Sequence, residues 1–293
     1  MIPRLIPATI VLAAAMTQSA VADIASDLSA SYGAWRQSII NKDARMWQMM
    51  TSPNRQAEVR NRLLSEKRAF PAAVFELPAP PPKLDGLKMV HVSQKGATAK
   101  ASYFGKVDFG VGGDPTENLL VLSFINANGR WTYDRADFVN LAALPEVRKE
   151  LAAGDLKYVK ETPECQATGI VPPTPPAAPP AKYIAKVYVF CPGREVQVQV
   201  NRISRHRFAN AKEAEIVIGG ARDGRNEVTF TAKPLEGGTG KEAFAVRVYL
   251  MSEIPGTKPI IAYEYKAEEE QPVKGFDSSH FILDPATAAK LVP

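Results

Sequence analysis

A chain of 293 residues is longer than one ordinary core encloses and suits two domains. Hydrophobic residues make up 45% and charged residues 23%, a globular composition that excludes a disordered or low-complexity chain. The net charge of +5 comes from interleaved acidic and basic residues, so the basic stripe that nucleic acid requires is missing and no nucleic-acid partner is expected.

Residues 1–22, MIPRLIPATIVLAAAMTQSAVA, have the layout of a signal peptide. Arg4 supplies the positive start, residues 5–16 the apolar stretch, and Ala20-Val21-Ala22 the small residues of a cleavage site after Ala22. The apolar run falls short of the roughly 20 residues that span a bilayer. No cysteine stands at the cleavage site to carry a lipid, and no later stretch is apolar enough to cross a membrane. The mature chain is expected to start at Asp23, to be exported, and to work in the periplasm or outside the cell.

Ile24, Leu28, Tyr32, Trp35 and Ile39 follow at helical steps and predict a first helix over 24–40. Asp43 caps a second short helix over 43–50. Ser52 as N-cap and Pro53 at the first position open a third. FPAAVFELPAPPPKLDG breaks the helical period with proline. LKMVHVSQ, ATAKASYFGKVDF, LLVLSFI and RWTYDRADFV then read as four strands of an antiparallel meander, with turns at Lys95-Gly96 and Asn128-Gly129. GVGGDPTEN, at 110–118, joins two strands, whereas a phosphate cradle needs its amides at a helix N-terminus. LPEVRKELAAG, at 144–154, predicts a short closing helix that ends at glycine.

Helices followed by an antiparallel sheet resemble the NTF2-like superfamily, in which helices pack into a curved sheet and form a cone. The first helix with Tyr32 and Trp35, KASYFGKVDF and NANGRWTYDRADF carry the resemblance, over roughly residues 23–151. It implies a pocket between the helices and the concave face of the sheet. In members that are enzymes, an Asp, His or Tyr in that pocket transfers protons. The residues here that such a pocket would use are His91, Tyr103, Asp108, Trp131, Tyr133 and Asp134. Strand alternation puts Tyr103 with Ala101 and Gly105, and Trp131 with Tyr133. Whether the two sets share a face is left open.

GIVPPTPPAAPPAKY, at 169–183, is barred from a helix interior and from a central strand by its prolines. It is either a semi-rigid polyproline II spacer of roughly 30 Å, at about 3.1 Å per residue, or a close surface connection whose prolines block strand pairing. Cys165 and Cys191 flank it. In an oxidising compartment they either form a bridge, which loop closure makes stabilising by about 3 kcal/mol, or remain two separate thiols.

Beyond the prolines, KYIAKVYVF, REVQVQVN, AEIVIGG, NEVTFTAKP, AFAVRVYLMS and PIIAYEYKAEE are short strands at the spacing of a β-sandwich. ARDGRNEVTFTAKP resembles the strand-turn-strand texture of Ig-like domains in exported proteins, over about residues 182–266. The Cys and Trp set of antibody-type domains is missing, since this half has one cysteine and no tryptophan. The tail predicts a return strand and a short terminal helix. The expected fold class is therefore α+β: an NTF2-like domain at 23–160, a proline-rich linker at 161–181, and an Ig-like sandwich with its tail at 182–293.

The three histidines lie far apart, and none has a ligand partner at metal-binding spacing. No G-x-S-x-G, H-E-x-x-H or Walker-type loop appears. No metal, cofactor or complete catalytic set is expected. Arg202, Arg205, His206 and Arg207 form a basic cluster suited to an acidic surface or a glycan. The leading expectation is an exported bacterial protein of non-enzymatic type that binds a protein or envelope component. One alternative is a small-molecule-binding protein or enzyme that uses the cone pocket. Another is an oligomeric subunit of an envelope assembly.

Overall fold

The computed structural model describes residues 9–108 and 115–292, with side chains from Asp23 onward. The side chains of the expected leader, and GVGGD at 110–114, lie outside the described residues. Helices combine with three four-stranded antiparallel sheets. Among the described residues, no helix is long and apolar enough to cross a membrane. Contacts divide the chain into two units: residues 1–56 with 74–175, and residues 57–73 with 176–293.

The first unit opens with α1 (Thr9–Ile40) and α2 (Ala44–Met50). Leu28, Tyr32, Trp35 and Ile39 are all buried, as their spacing requires. Asp43 caps α2, its Oδ1 accepting from the Met46 amide at 2.9 Å. The sheet runs in the order β1 (Lys88–Lys95), β2 (Thr98–Val107), β3 (Thr116–Ala127) and β4 (Arg130–Val139). Asn128 and Gly129, at φ of 52° and 79°, form the β3–β4 turn with the left-handed pair that a tight hairpin needs. α1 packs on one face of this sheet. The other face carries Val90, Phe104, Leu119 and Val121, which meet Leu141, Leu151, Val159 and Cys165. The covering residues come from α4 (Pro145–Ala153), α5 (Lys157–Glu161) and the chain around them. Only α4 was expected, because the five residues of α5 are too few to show a helical period.

The second unit takes in the chain partway along α3 (Pro53–Ser65), from Ala57 onward. Its two sheets run β11-β10-β5-β8 and β12-β9-β6-β7. The strands are β5 (Ala185–Phe190), β6 (Arg194–Val200), β7 (Ser204–Ala209), β8 (Lys212–Ile216), β9 (Gly224–Pro234), β10 (Phe244–Leu250), β11 (Ile260–Ala267) and β12 (Phe276–Leu283). Alternate residues of both sheets enter one shared core, among them Val187, Val198, Phe230, Phe244 and Val248. The short α6 (Pro285–Ala288) follows, with the Asp284 side chain accepting from Thr287 N.

Part of the proline stretch is seated on α3. Asn61 donates from Nδ2 to the Pro176 carbonyl at 2.9 Å, and its Oδ1 accepts from the Ala178 amide at 2.9 Å. The Ala181 amide donates to the Leu64 carbonyl at 3.1 Å. Proline removes donors from this segment, and the Ala178 and Ala181 amides that remain take partners from a helix and not from a strand.

No bridge joins Cys165 and Cys191: both are free and buried. Each is absorbed into the hydrophobic core of its own unit, Cys165 among Val90 and Leu141, Cys191 among Val189 and Phe208. Burial raises both thiol pKa values, so each behaves as a small apolar side chain.

Candidate functional site

The six residues of the implied cone pocket do not converge. Tyr103 and Tyr133 share the face of the sheet that lies under α1. The Tyr103 hydroxyl meets Ser29 Oγ at 3.0 Å. The Tyr133 ring stacks on Trp35, with centroids 3.8 Å apart, and meets Tyr32 edge-on at 5.7 Å. Phe124 closes the cluster at 6.4 Å from Tyr133. These rings fill the space between helix and sheet, and desolvation raises the phenol pKa of Tyr32, Tyr103 and Tyr133. Trp131 is buried, and its carbonyl accepts from Ser31 Oγ at 2.8 Å.

The other three residues point elsewhere. Asp108 is exposed just past the end of β2, so it lies outside any interior. His91 is half-buried, with Nε2 at 3.1 Å from Gln166 Nε2 and 3.4 Å from its Oε1. Asp134 is the extra residue of a β-bulge: Ser123 pairs with Arg135 and Phe124 with Tyr133. The bulge turns its carboxylate toward the start of α3. There it accepts from Ser52 Oγ at 2.6 Å, Asn54 Nδ2 at 2.7 Å and Arg135 Nε at 3.1 Å. A buried carboxylate held by three donors is a tie between β4 and a helix start.

The basic cluster is split by strand alternation. On β7, Ser204, His206 and Phe208 point inward, while Arg205 and Arg207 point out. His206 is thus a core residue and not part of the surface cluster. Its Nε2 lies 2.6 Å from Ser204 Oγ and its Nδ1 lies 2.6 Å from Glu215 Oε2. This is the connectivity of a Ser-His-acid relay. However, Ser204 is 0% exposed, and its Oγ already accepts from the Ile218 amide at 2.7 Å. A substrate carbonyl has no approach to it. The chain of bonds instead ties β7 to β8, the edge strands of the two sheets.

The outward residues of β7, β6, β9 and β12 form a largely polar face, with Phe276 and Ile282 of β12 as its exposed apolar side chains. Register places Arg205, Gln199, Thr229 and Ser278 in one row across the strands. Arg207, Gln197, Thr231 and Phe276 form the next. Glu227 lies opposite His280 one pair further on. At this end of the face is a groove of about 220 Å³, and every side chain lining it is polar.

The groove is built around the β6–β7 hairpin. Asn201 and Arg202 both have left-handed backbones, with φ of 50° and 60°, and the Ile203 amide closes the turn on the Val200 carbonyl at 3.2 Å. Such a turn favours Asn first and Gly second. Here the second residue is Arg202. A network beneath holds it. Asn201 Oδ1 accepts from the Glu227 amide at 3.0 Å, and Asn201 Nδ2 donates to Asn226 Oδ1 at 2.9 Å. Asn226 is fully buried and donates in turn to the Arg222 carbonyl at 2.7 Å. Above, the Arg202 guanidinium donates from Nε to Glu227 Oε2 at 3.0 Å, and Gln199 Nε2 donates to the Arg202 carbonyl at 3.1 Å.

Five cations (Arg202, Arg205, Arg207, Arg225 and Lys233) and two carboxylates (Glu195 and Glu227) face outward on this sheet. Arg207 pairs with Glu195 at 2.6 Å and holds that carboxyl below its usual range. Among the described residues, Arg205, Arg225 and Lys233 have no ion-pair partner. What the face offers is positive charge and neutral groups that both donate and accept.

Of this site, sequence reading found Arg202, Arg205 and Arg207. Arg225, Glu227 and His280 were missed, because strands distant in sequence bring them together. The available signal was alternation: Gln197 and Gln199, Thr229 and Thr231, Ser278 and His280 each mark a polar face at period two. The chain matches no protein-family model, no characterised protein and no solved structure.

Proposed function

We propose that this chain is an exported bacterial protein of non-enzymatic type, and that it binds an envelope component through the outer face of β6, β7, β9 and β12. The finer reading of the fold is an NTF2-like first unit and an Ig-like second unit. The helix-then-meander order of the first supports it, as does the two-sheet core of the second. The expected leader supports export.

The observation that carries the binding role is Arg202. A left-handed backbone at a non-glycine residue costs on the order of 1–3 kcal/mol and clusters at functional positions. Here a buried asparagine network enforces it and sets a guanidinium at the mouth of a wholly polar groove.

The test is co-sedimentation of the mature protein with isolated cell envelopes, comparing the native chain with a double variant, Arg202→Ala with Arg225→Ala. The native chain is expected to pellet with envelopes and the double variant to stay in solution. Equal pelleting of the two, or none by either, overturns this reading.

A further inference from the structure

The groove and its rows carry chemistry that distinguishes one kind of anion from another. We propose that the face binds a carboxylated polysaccharide, a chain of hydroxyl-rich sugars bearing uronic-acid charge. The inference rests on the binding role proposed above and names its ligand class.

Charge comes first. Arg225 and Arg205 flank the groove and the first row, and among the described residues neither guanidinium has an ion-pair partner. A planar guanidinium matches a carboxylate with two parallel hydrogen bonds. Arg202, which lines the groove, is spoken for in part by Glu227, whose Oε2 lies 3.0 Å from its Nε.

The neutral groups then decide against a dense polyanion. A phosphate or sulfate polymer offers acceptors and no donors at its charged groups, so it satisfies only the donors of a site. This face is rich in acceptors as well: the carbonyls of Gln197 and Gln199, the hydroxyls of Thr229, Thr231 and Ser278, and the Glu227 carboxylate within the groove. Glu227 is acceptor-only and negative. It accepts from a sugar hydroxyl, whereas a polyphosphate, with no hydroxyl beside its charges, only repels it. Sugar hydroxyls both donate and accept, and so pair with each of these groups.

The last element is Phe276, 61% exposed at the end of the second row, beside Thr231. A large exposed ring beside polar rows provides a flat apolar platform at the edge of a hydrogen-bonding surface. The C–H face of a sugar ring supplies the matching surface, and a phosphate backbone does not. Four strands at about 4.8 Å spacing make the rows roughly 14 Å long, so the ligand is an extended chain and not a single sugar.

The test is calorimetric titration of the mature full chain with three probes: oligogalacturonate, dextran of similar length, and inorganic polyphosphate. Oligogalacturonate is expected to bind. Arg225→Gln should weaken it about tenfold, the effect of one lost charge-assisted hydrogen bond, and Phe276→Ala should weaken it severalfold. Both positions are exposed, and a melting curve on each variant checks that it folds. Dextran should bind at least tenfold more weakly, and polyphosphate should show no binding that depends on Phe276. Polyphosphate binding as tightly as oligogalacturonate, or oligogalacturonate affinity unchanged in both variants, overturns the glycan inference. If oligogalacturonate does not bind while envelope pelleting still depends on Arg202 and Arg225, the ligand class falls and the binding face stands. If the envelope dependence is also absent, the binding role falls with it.

Discussion

At Arg202 local strain and exposed charge meet in one residue, and they can be separated by substitution. Arg202→Gly removes the left-handed penalty, about 1–2 kcal/mol, and costs some of that back through the freer unfolded chain. The lost pair with Glu227 is exposed and worth little. The variant is expected to be more stable by about 0.5–1 kcal/mol in urea denaturation, and to bind envelopes more weakly. A less stable variant would show that the turn does not strain its arginine. Asp134 gives the opposite case. Asp134→Asn keeps the shape but loses acceptor capacity toward Ser52, Asn54 and Arg135, so stability should fall by about 1–3 kcal/mol, read from the same denaturation midpoint. Residue roles were legible where they are local. Asp43, Ser52 and Pro53 announce helix starts because a cap acts within three residues. Asp134 was not legible, because its partners Ser52 and Asn54 lie some eighty residues away and only Arg135 is adjacent in sequence.

Single elements in the second unit depend on how their connections are held. The β9–β10 connection is gathered around Glu242. Its Oε1 accepts from the Thr239 amide at 2.6 Å and from the Thr239 hydroxyl at 2.8 Å, and its Oε2 accepts from Arg194 Nη1 at 2.8 Å. Arg194 is buried and also donates to the Gly240 carbonyl. Gly238 is required here, since a Cβ would lie 2.2 Å from the Gly193 carbonyl oxygen. These bonds, backbone amides first and Arg194 last, pull the Glu242 pKa down to about 2 from an ordinary 4.5. A depressed carboxyl stabilises the fold fully above its unfolded pKa and loses that contribution as pH falls through its folded one. Glu242→Gln should therefore be less stable than the native chain at pH 7. The gap should close as pH falls from about 4.5 to about 2, followed by denaturant midpoints at each pH. A gap that stays constant with pH would mean the carboxylate charge is not what holds the connection. Strands such as β6 and β9 were readable from alternation, and the hairpin from Asn128-Gly129. α5 was not, because one helical turn leaves no period to read.

Across the whole molecule, the chain does not divide at the prolines alone. Residues 57–73 belong with residues 176–293, although they lie between two segments of the first unit. A fragment of residues 176–293 lacks α3, and with it the Asn61 bonds to Pro176 and Ala178 and the bond from the Gly219 amide to Ser65 Oγ at 2.8 Å. This fragment is expected to unfold at lower urea than the full chain, and a peptide of residues 57–73 added in trans should raise its midpoint. No effect of the peptide would show that the β core stands without the helix. The mixed helix and sheet content was legible in the sequence because helical and strand periods each occupy long runs. The interleaving was not, since α3 reads as one more amphipathic helix in a series and nothing local says which core receives its far end.

That crossing of the chain has a consequence in time. A ribosome delivers residues 57–73 about a hundred residues before residue 176. At about 5–20 residues per second, the delay is roughly 5–20 seconds. During it, Asn61, Leu64 and Ser65 wait for partners that do not yet exist, while residues 74–175, which complete the first unit, are being added. The newborn chain is thus held half-finished by its own order of assembly, and its last two fifths release it.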